Sequence, residues 1–561
     1  MDGQTSATTQ ARQPAARPGR WLAVTVLITG ALMDLVDVTI VNVALPTIQQ
    51  DLRASATQLE WVVSGYMLAF AAALIIAGNL GDLLGRKRVF LAGVTAFGLA
   101  SLCAGLSATG AELIAARVVQ GTAAAAMAPQ VLATFRATFA QDERGKVFGI
   151  YGAMAGVASA IGLLLGGLLI QANPFDWSWR SIFFVNVPVA VCTLVAGARV
   201  VPETRDPRAH RPDLPGAVLL AASLTAVAYP LLEGRQLGWP AWIWPLLIAG
   251  AAGLGALALL GARPSQHRAP LLRAELFRIP AFSAGLCVQL AFSAGLQGFF
   301  IVLALWLQGG QHFSPLKAGL TAVAFSVGSL FGAPVAVPFA RSRGRLALAL
   351  GAVIMVLGIA GIGLAAPHVG LNGSPWPVVP GLVVAGAGLA LLLIPLVNVV
   401  LADVPAEVAG GASGIFSTGQ QLGGALGVAI IGTLFFGYLA DGHSYEAALT
   451  HTVPYAAAAF ALAAVASLLL PHTAVTDDNL RRSRMRPAGP WCPAAVRARP
   501  GQGRLAWPHG HRELGPAGGA HRRRQRSRPW IAACRVAARR TDSPRGTSRD
   551  LYELRPASRI L

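Results

Sequence analysis

The sequence predicts an all-α polytopic membrane protein with about fourteen transmembrane helices, and three observations carry that prediction. The 561-residue chain is 54% hydrophobic and only 12% charged, whereas a soluble domain carries about 25% charged residues. Apolar runs near the ~20 residues needed to cross a bilayer recur along most of the chain. Lys and Arg are distributed unevenly between alternate loops, as membrane topology demands.

Taken in order, the spans fall near 21–45, 59–78, 89–107, 112–133, 147–170, 181–200, 215–233, 242–261, 281–306, 317–339, 346–366, 378–401, 412–436 and 452–470. The run at 281–306 is long and Pro395 interrupts 378–401, so twelve or thirteen spans result if a pair is re-entrant. With the N-terminus inside, the inner loops before residue 480 hold twenty Lys and Arg, and the outer loops hold four: Arg53, Arg180, Arg235 and Lys317. That bias predicts an even number of spans with both termini cytoplasmic. Residues 1–20 are polar with three Arg. The first apolar run is long, contains two Asp and lacks an A-x-A cleavage site, so it reads as a retained span rather than a signal peptide.

The formal charge of +20 is concentrated at the C-terminal end, where residues 481–561 carry twenty Arg against four acids. The stretch is rich in Arg, Pro, Gly and Ala without hydrophobic periodicity, so 471–561 is expected to be a disordered cytoplasmic tail. Three readings of it stay open: contact with anionic lipid headgroups, contact with nucleic acid, or no function, as in an out-of-frame extension of a GC-rich gene. The membrane body is near neutral, so no nucleic-acid partner is expected for it. The five Cys are scattered without metal or disulfide spacing.

Acids inside spans are rare, because each costs about 2.5–3.5 kcal/mol at the helix centre. The first span holds two, in "LMDLVDVTIVNVALP": Asp34 and Asp37. Three residues apart, they share a helix face. Carboxylates so close in a low dielectric resist ionising together, so one of them can take up and release a proton. Arg117, in "LIAARVVQGTAAAA", lies roughly one turn past Glu112. It either snorkels to the outer interface or serves as counter-charge to an acid on another helix. No acid is evident deep in the later spans, which places ion coupling in the first half of the chain.

Between the second and third spans lies "GNLGDLLGRKRVF". Gly78 and Gly85 permit a tight turn, Asp82 suits a helix N-terminus, and Arg86, Lys87 and Arg88 mark the cytoplasmic face. Gly78, Leu80, Asp82, Gly85, Arg86 and Lys87 resemble the loop 2–3 signature of the major facilitator superfamily. "RVVQGTAAA", at Arg117, Gln120 and Gly121, is similar to that family's fourth-span motif. "LVDVTIVNVALP", at Asp37, Thr39, Asn42, Ala44 and Pro46, resembles the first-span signature of its fourteen-span drug:proton antiporter branch. "WSWRSIFFVNVPV", at Trp179, Arg180, Phe183, Asn186 and Pro188, fits the same branch, as do stretches at 213–220, 314–320 and 410–430.

The branch's antiporter signature, G-x8-G-x3-G-P-x2-G-G, aligns with Gly149, Ala158, Gly162, Leu163, Gly166 and Gly167. It departs at Ala158, where the family has Gly, and at Leu163, where it has Pro. The small residues at 158, 162 and 166 form a seam for a neighbouring helix. Leu163 removes the expected proline kink, which implies a straighter fifth span with altered coupling or substrate access.

The resemblance covers residues 21–470. It implies two six-helix bundles, 21–200 and 281–470, joined by two linker helices and cytoplasmic loops over 201–280, with a cavity near the midplane and alternating access. It implies export of hydrophobic or cationic small molecules (drugs, antibiotics) in exchange for protons. Asp37 and Asp34 would couple to protons or cations with Arg117 as electrostatic partner. Gly78, Asp82, Gly85 and Arg86 would gate, with Asp82 and Arg86 holding the outward-facing state. A dedicated exporter of one endogenous metabolite and a non-transporting receptor or scaffold are the alternatives. No P-loop, metal-ligand spacing or supported nucleophile motif is present, so neither an enzyme nor a cofactor is expected. The proton gradient is the expected energy source, the bilayer and a small molecule are the expected partners, and the monomer is the expected functional unit.

Overall fold

The computed structural model describes residues 19–139, 141–205, 213–260, 274–401, 404 and 409–470. Residues 1–18 of the expected polar N-terminus and the whole Arg-rich tail, 471–561, lie outside the described residues. The described chain contains no strand. Its α-helices are α1 (Arg20–Leu52), α2 (Ala56–Leu84), α3 (Arg86–Leu106), α4 (Gly110–Thr138), α5 (Gln141–Ala172), α6 (Ser181–Phe184), α7 (Asn186–Val200) and α8 (Leu214–Glu233). They continue with α9 (Ile243–Leu260), α10 (Ala274–Phe277), α11 (Pro280–Leu305), α12 (Pro315–Ala365), α13 (Val379–Leu401), α14 (Ala409–Ala440) and α15 (Tyr445–Leu468).

The helices form because apolar runs exclude water and every backbone polar group must then bond within its own segment. They start where a short polar side chain satisfies an orphan amide. Ser55 accepts from the Gln58 amide, Thr109 from Glu112, Asp213 from Gly216, Ser314 from Lys317 and Ser444 from Ala447. Eleven helices among the described residues are long and apolar enough to cross a membrane, and Val157–Ala172 and Ile243–Leu257 are shorter apolar helices. The chain is an all-α, multi-pass protein of the cell membrane.

Two expected boundaries are sharpened. The spans at 317–339 and 346–366 are not separated by a loop. Two apolar spans, Pro315–Ala336 and Arg343–His368, meet at a kink at Arg343 (φ −137°, ψ 32°), so the chain turns back between them within a residue or two. The long run at 281–306 ends in a π turn over Trp306–Gly310. There Gln308 Nε2 donates to the Val43 carbonyl of α1 at 2.8 Å.

Helix α1 packs on α5 and α7, α4 on α2 and α3, α11 on α14 and α15, and α12 on α13 and α15. Helices α8 and α9 pair with each other, and α8 also touches α2 and α14. The early and late helices meet along α2–α14 and α5–α12.

Candidate functional site

The structure gathers five early helices around one carboxylate. Asp37 of α1 is fully buried (0% exposed), and Arg117 of α4 is 2% exposed. Arg117 Nη1 donates to Asp37 Oδ2, and also to Gln120 Oε1 at 2.5 Å. Its Nε donates to the Val62 carbonyl of α2 at 3.1 Å. Gln120 Nε2 donates to Asp37 Oδ1 at 2.9 Å and to Ser101 Oγ of α3 at 2.8 Å. Asn186 Nδ2, at the start of α7, donates to the same Oδ1 at 2.9 Å. Asp37 is therefore held by a guanidinium and two amides, the satisfaction a buried carboxylate requires.

Asp34 lies one turn earlier on α1 and is only half-buried. Its Oδ1 accepts from the Tyr66 hydroxyl of α2. The Tyr66 ring lies 4.1 Å beneath the Arg117 guanidinium, a cation–π contact that links the two acids. Arg117 thus does not snorkel to the interface; it is the counter-charge. The cluster holds two carboxylates and one guanidinium, so in a low dielectric it is neutral when it carries one proton.

The loop 2–3 residues are placed differently from expectation. Asp82 does not cap a helix N-terminus; it lies in the last turn of α2. Its Oδ1 accepts from Arg86 Nε at 3.0 Å and Nη2 at 2.8 Å. Arg86 Nη1 also donates to the Ala133 carbonyl of α4 at 3.3 Å. The junction is this short because Gly85 adopts φ +112°, which lets α3 begin at the next residue. Gly78 makes no turn: it sits inside α2, with room for a Cβ 3.8 Å from Pro129. The close approach falls at Gly81, where a Cβ would strike the Gln130 side chain.

Helix α5 runs unbroken from Gln141 to Ala172, through Leu163. A Cβ on Gly162 would meet Thr39 and the Val36 carbonyl of α1, and one on Gly166 would lie 2.8 Å from Ile40. Gly167 turns instead to α12, where a Cβ would lie 2.7 Å from the Pro315 carbonyl and Leu316 Cα. The Leu163 carbonyl packs over Gly319 of α12. The Leu163 side chain borders a small cavity with Asn42, Phe300 and Gln308. A Cβ on Gly149 would meet no other helix within 4 Å, so Gly149 takes no part in the seam.

Trp179 and Arg180, from the "WSWRSIFF" stretch, both donate to Asp51 at the end of α1. Sequence reasoning missed Tyr66 and Ser101, which complete the cluster, and Glu60, a buried acid in the second turn of α2 (2% exposed). The signal for Glu60 was present, as an acid next to Trp61 at the start of an apolar run.

Ionisable side chains paired inside membrane helices mark ion or substrate pathways, so fold and site define a polytopic membrane carrier. Residues 27–428 match the Major Facilitator Superfamily, and the chain belongs to that superfamily. It is similar to the probable actinorhodin transporter of Streptomyces coelicolor, 39% identical over 428 residues, 76% of this chain and 74% of that protein. The puromycin resistance protein of Streptomyces alboniger is 36% identical over 487 residues, 84% of this chain and 93% of its own. A multidrug resistance protein of Mycobacterium tuberculosis is 33% identical over 428 residues, covering 76% and 77%. The fold is shared with the crystal structure of a D-xylose-proton symporter, with TM-score 0.57, 15% identity and coverage of 81% of this chain and 98% of that one.

Proposed function

We propose that the protein is a secondary active exporter of hydrophobic or cationic small molecules, driven by proton influx through alternating access. The observation that carries this reading is the Asp34–Tyr66–Arg117–Asp37 cluster: two acids share one buried guanidinium across α1, α2 and α4. Half-buried Asp34 exchanges the proton, and the sealed Asp37–Arg117 pair senses it through Tyr66. Protonation of Asp34 withdraws negative charge from the face of the ring that Arg117 covers, which shifts the balance among α1, α2 and α4. Asp82 and Arg86 clamp the cytoplasmic ends of α2 and α4.

In this reading the chain crosses the membrane fourteen times with both termini cytoplasmic. Residues 21–200 and 281–470 act as two rocking bundles, joined by 201–280. It works as a monomer and without a cofactor. The names of its relatives, an actinorhodin transporter and resistance proteins for single antibiotics, favour a second reading within the same mechanism, a dedicated exporter of one endogenous metabolite. Accumulation of a cationic dye and of antibiotics in cells with and without the protein, each with and without a protonophore, tests the proposal. Lower accumulation that the protonophore abolishes is expected; accumulation indifferent to both rejects proton-coupled export.

A further inference from the structure

Glu60 is a buried acid that the cluster does not use. It lies at the end of α2 that the proposed orientation puts outside, where α2, α8 and α14 meet. Its Oε2 is 3.4 Å from Thr433 Oγ1 of α14. Thr433 Oγ1 is also 3.2 Å from the Leu231 carbonyl of α8. The backbone of α14 closes the pocket, since a Cβ on Gly432 would lie 2.8 Å from Glu60 Oε1. The charged groups facing Glu60 are Glu233 and Arg235. Glu233 accepts from Trp61 Nε1 at 2.9 Å, and Glu60 belongs to no ion pair among the described residues.

A hydroxyl has one proton to give. If Glu60 is ionised, Thr433 must choose between its carboxylate and the Leu231 carbonyl, and one acceptor goes without. If Glu60 is neutral, its O–H donates to Thr433 Oγ1, Thr433 donates to Leu231, and the chain is complete.

We propose that Glu60 is a proton-dependent latch that holds the outer ends of α2, α8 and α14 together only while its carboxyl is protonated. The proposal rests on the alternating-access reading above. When the helices part, the carboxyl is wetted and releases its proton to the outer medium. Before they close it takes one back from the same side, so no proton crosses the membrane through Glu60. Rising external pH therefore favours the outward-open state.

The test uses the full chain in proteoliposomes with the five cysteines replaced by serine and Ala318→Cys as reporter. Ala318 is 4% exposed and lies at the α5–α12 contact. Labelling by a membrane-impermeant maleimide is measured from pH 6 to pH 8, each rate divided by that of the unfolded chain at the same pH. Labelling is expected to rise several-fold with pH, and Glu60→Gln is expected to keep it low and flat. A Glu60→Gln protein that follows the parent's pH profile, or a parent with no pH dependence, overturns the latch. If Glu60→Gln does not reach the membrane, Thr433→Val decides: raised labelling at pH 6 supports the latch, and unchanged labelling overturns it. Drug accumulation in cells that express the same proteins separates the two claims. Lost export with intact pH-dependent labelling rejects the transport reading alone, and intact export with flat labelling rejects the latch alone.

Discussion

Arg117→Met removes the one cation from the buried cluster and keeps an unbranched apolar chain over the Tyr66 ring. Asp37 then stays fully buried with only the Gln120 and Asn186 amides as donors. Breaking a buried ion pair from one side costs about 3–5 kcal/mol. The lost guanidinium–ring contact adds about 1 kcal/mol. The expected destabilisation is therefore about 4–6 kcal/mol. Asp37→Asn leaves the opposite problem, a buried guanidinium that cannot give up its charge. In the double variant neither charge remains, so Arg117→Met and Asp37→Asn should couple by about 3 kcal/mol in a double-mutant cycle. Denaturant titration of the four purified proteins in micelles measures this. Additive effects, with coupling below about 0.5 kcal/mol, would refute the claim that the pair acts as one buried unit. Export should be absent from all three variants, because restoring neutrality restores the packing but not the site.

Asp34→Asn keeps its Tyr66 contact in a half-buried place, so stability should hold within about 1–2 kcal/mol. Transport should nonetheless lose its response to an imposed pH gradient, read as equal efflux in proteoliposomes with and without the gradient; a preserved response removes Asp34 from coupling. Leu163→Pro deletes one backbone bond in unbroken α5, at about 3 kcal/mol, directly where its carbonyl covers Gly319. Proton leak and drug efflux should both change, and identical values for the two proteins would show that the straight helix has no consequence. Gly167→Leu forces a side chain against the Pro315 carbonyl and Leu316. The protein should reach the membrane but export more slowly, and a wild-type rate would contradict the close α5–α12 contact.

The helical membrane body was legible because bilayer thickness imposes a length and charge cost imposes loops, and both leave marks in a single sequence. Asp34, Asp37 and Arg117 were legible for the same reason: a charge that costs so much inside a span draws notice wherever it falls. The pairing itself depended on how α1 meets α4, which spacing along the chain does not encode. Tyr66 and Ser101 were invisible because a Tyr or Ser inside a span costs little and occurs for many reasons. Gly81 carries the close approach instead of Gly78, since which glycine faces α4 is set by helix rotation.

The contacts within the first 203 residues differ in kind from those that join them to the later helices. Arg20–Glu143, Arg86–Asp82, Arg88–Glu203, Arg117–Asp37 and Arg180–Asp51 are all ion pairs inside that stretch. Across the α2–α14 and α5–α12 seams the polar contacts are single bonds. Ser64 donates to the Ala425 carbonyl and Thr418 to the Ala71 carbonyl, and Glu60 shares a hydrogen bond with Thr433. Glycine also meets backbone there, as at Gly167 and Gly319. A neutral hydrogen bond contributes about 1 kcal/mol, and each of these side chains can find another partner when the seam parts. Breaking the Asp37–Arg117 pair costs several times more and offers no replacement. The seams therefore yield before the early helices deform: a buried ion pair holds the early helices together, and they meet the later ones along surfaces that separate at low cost.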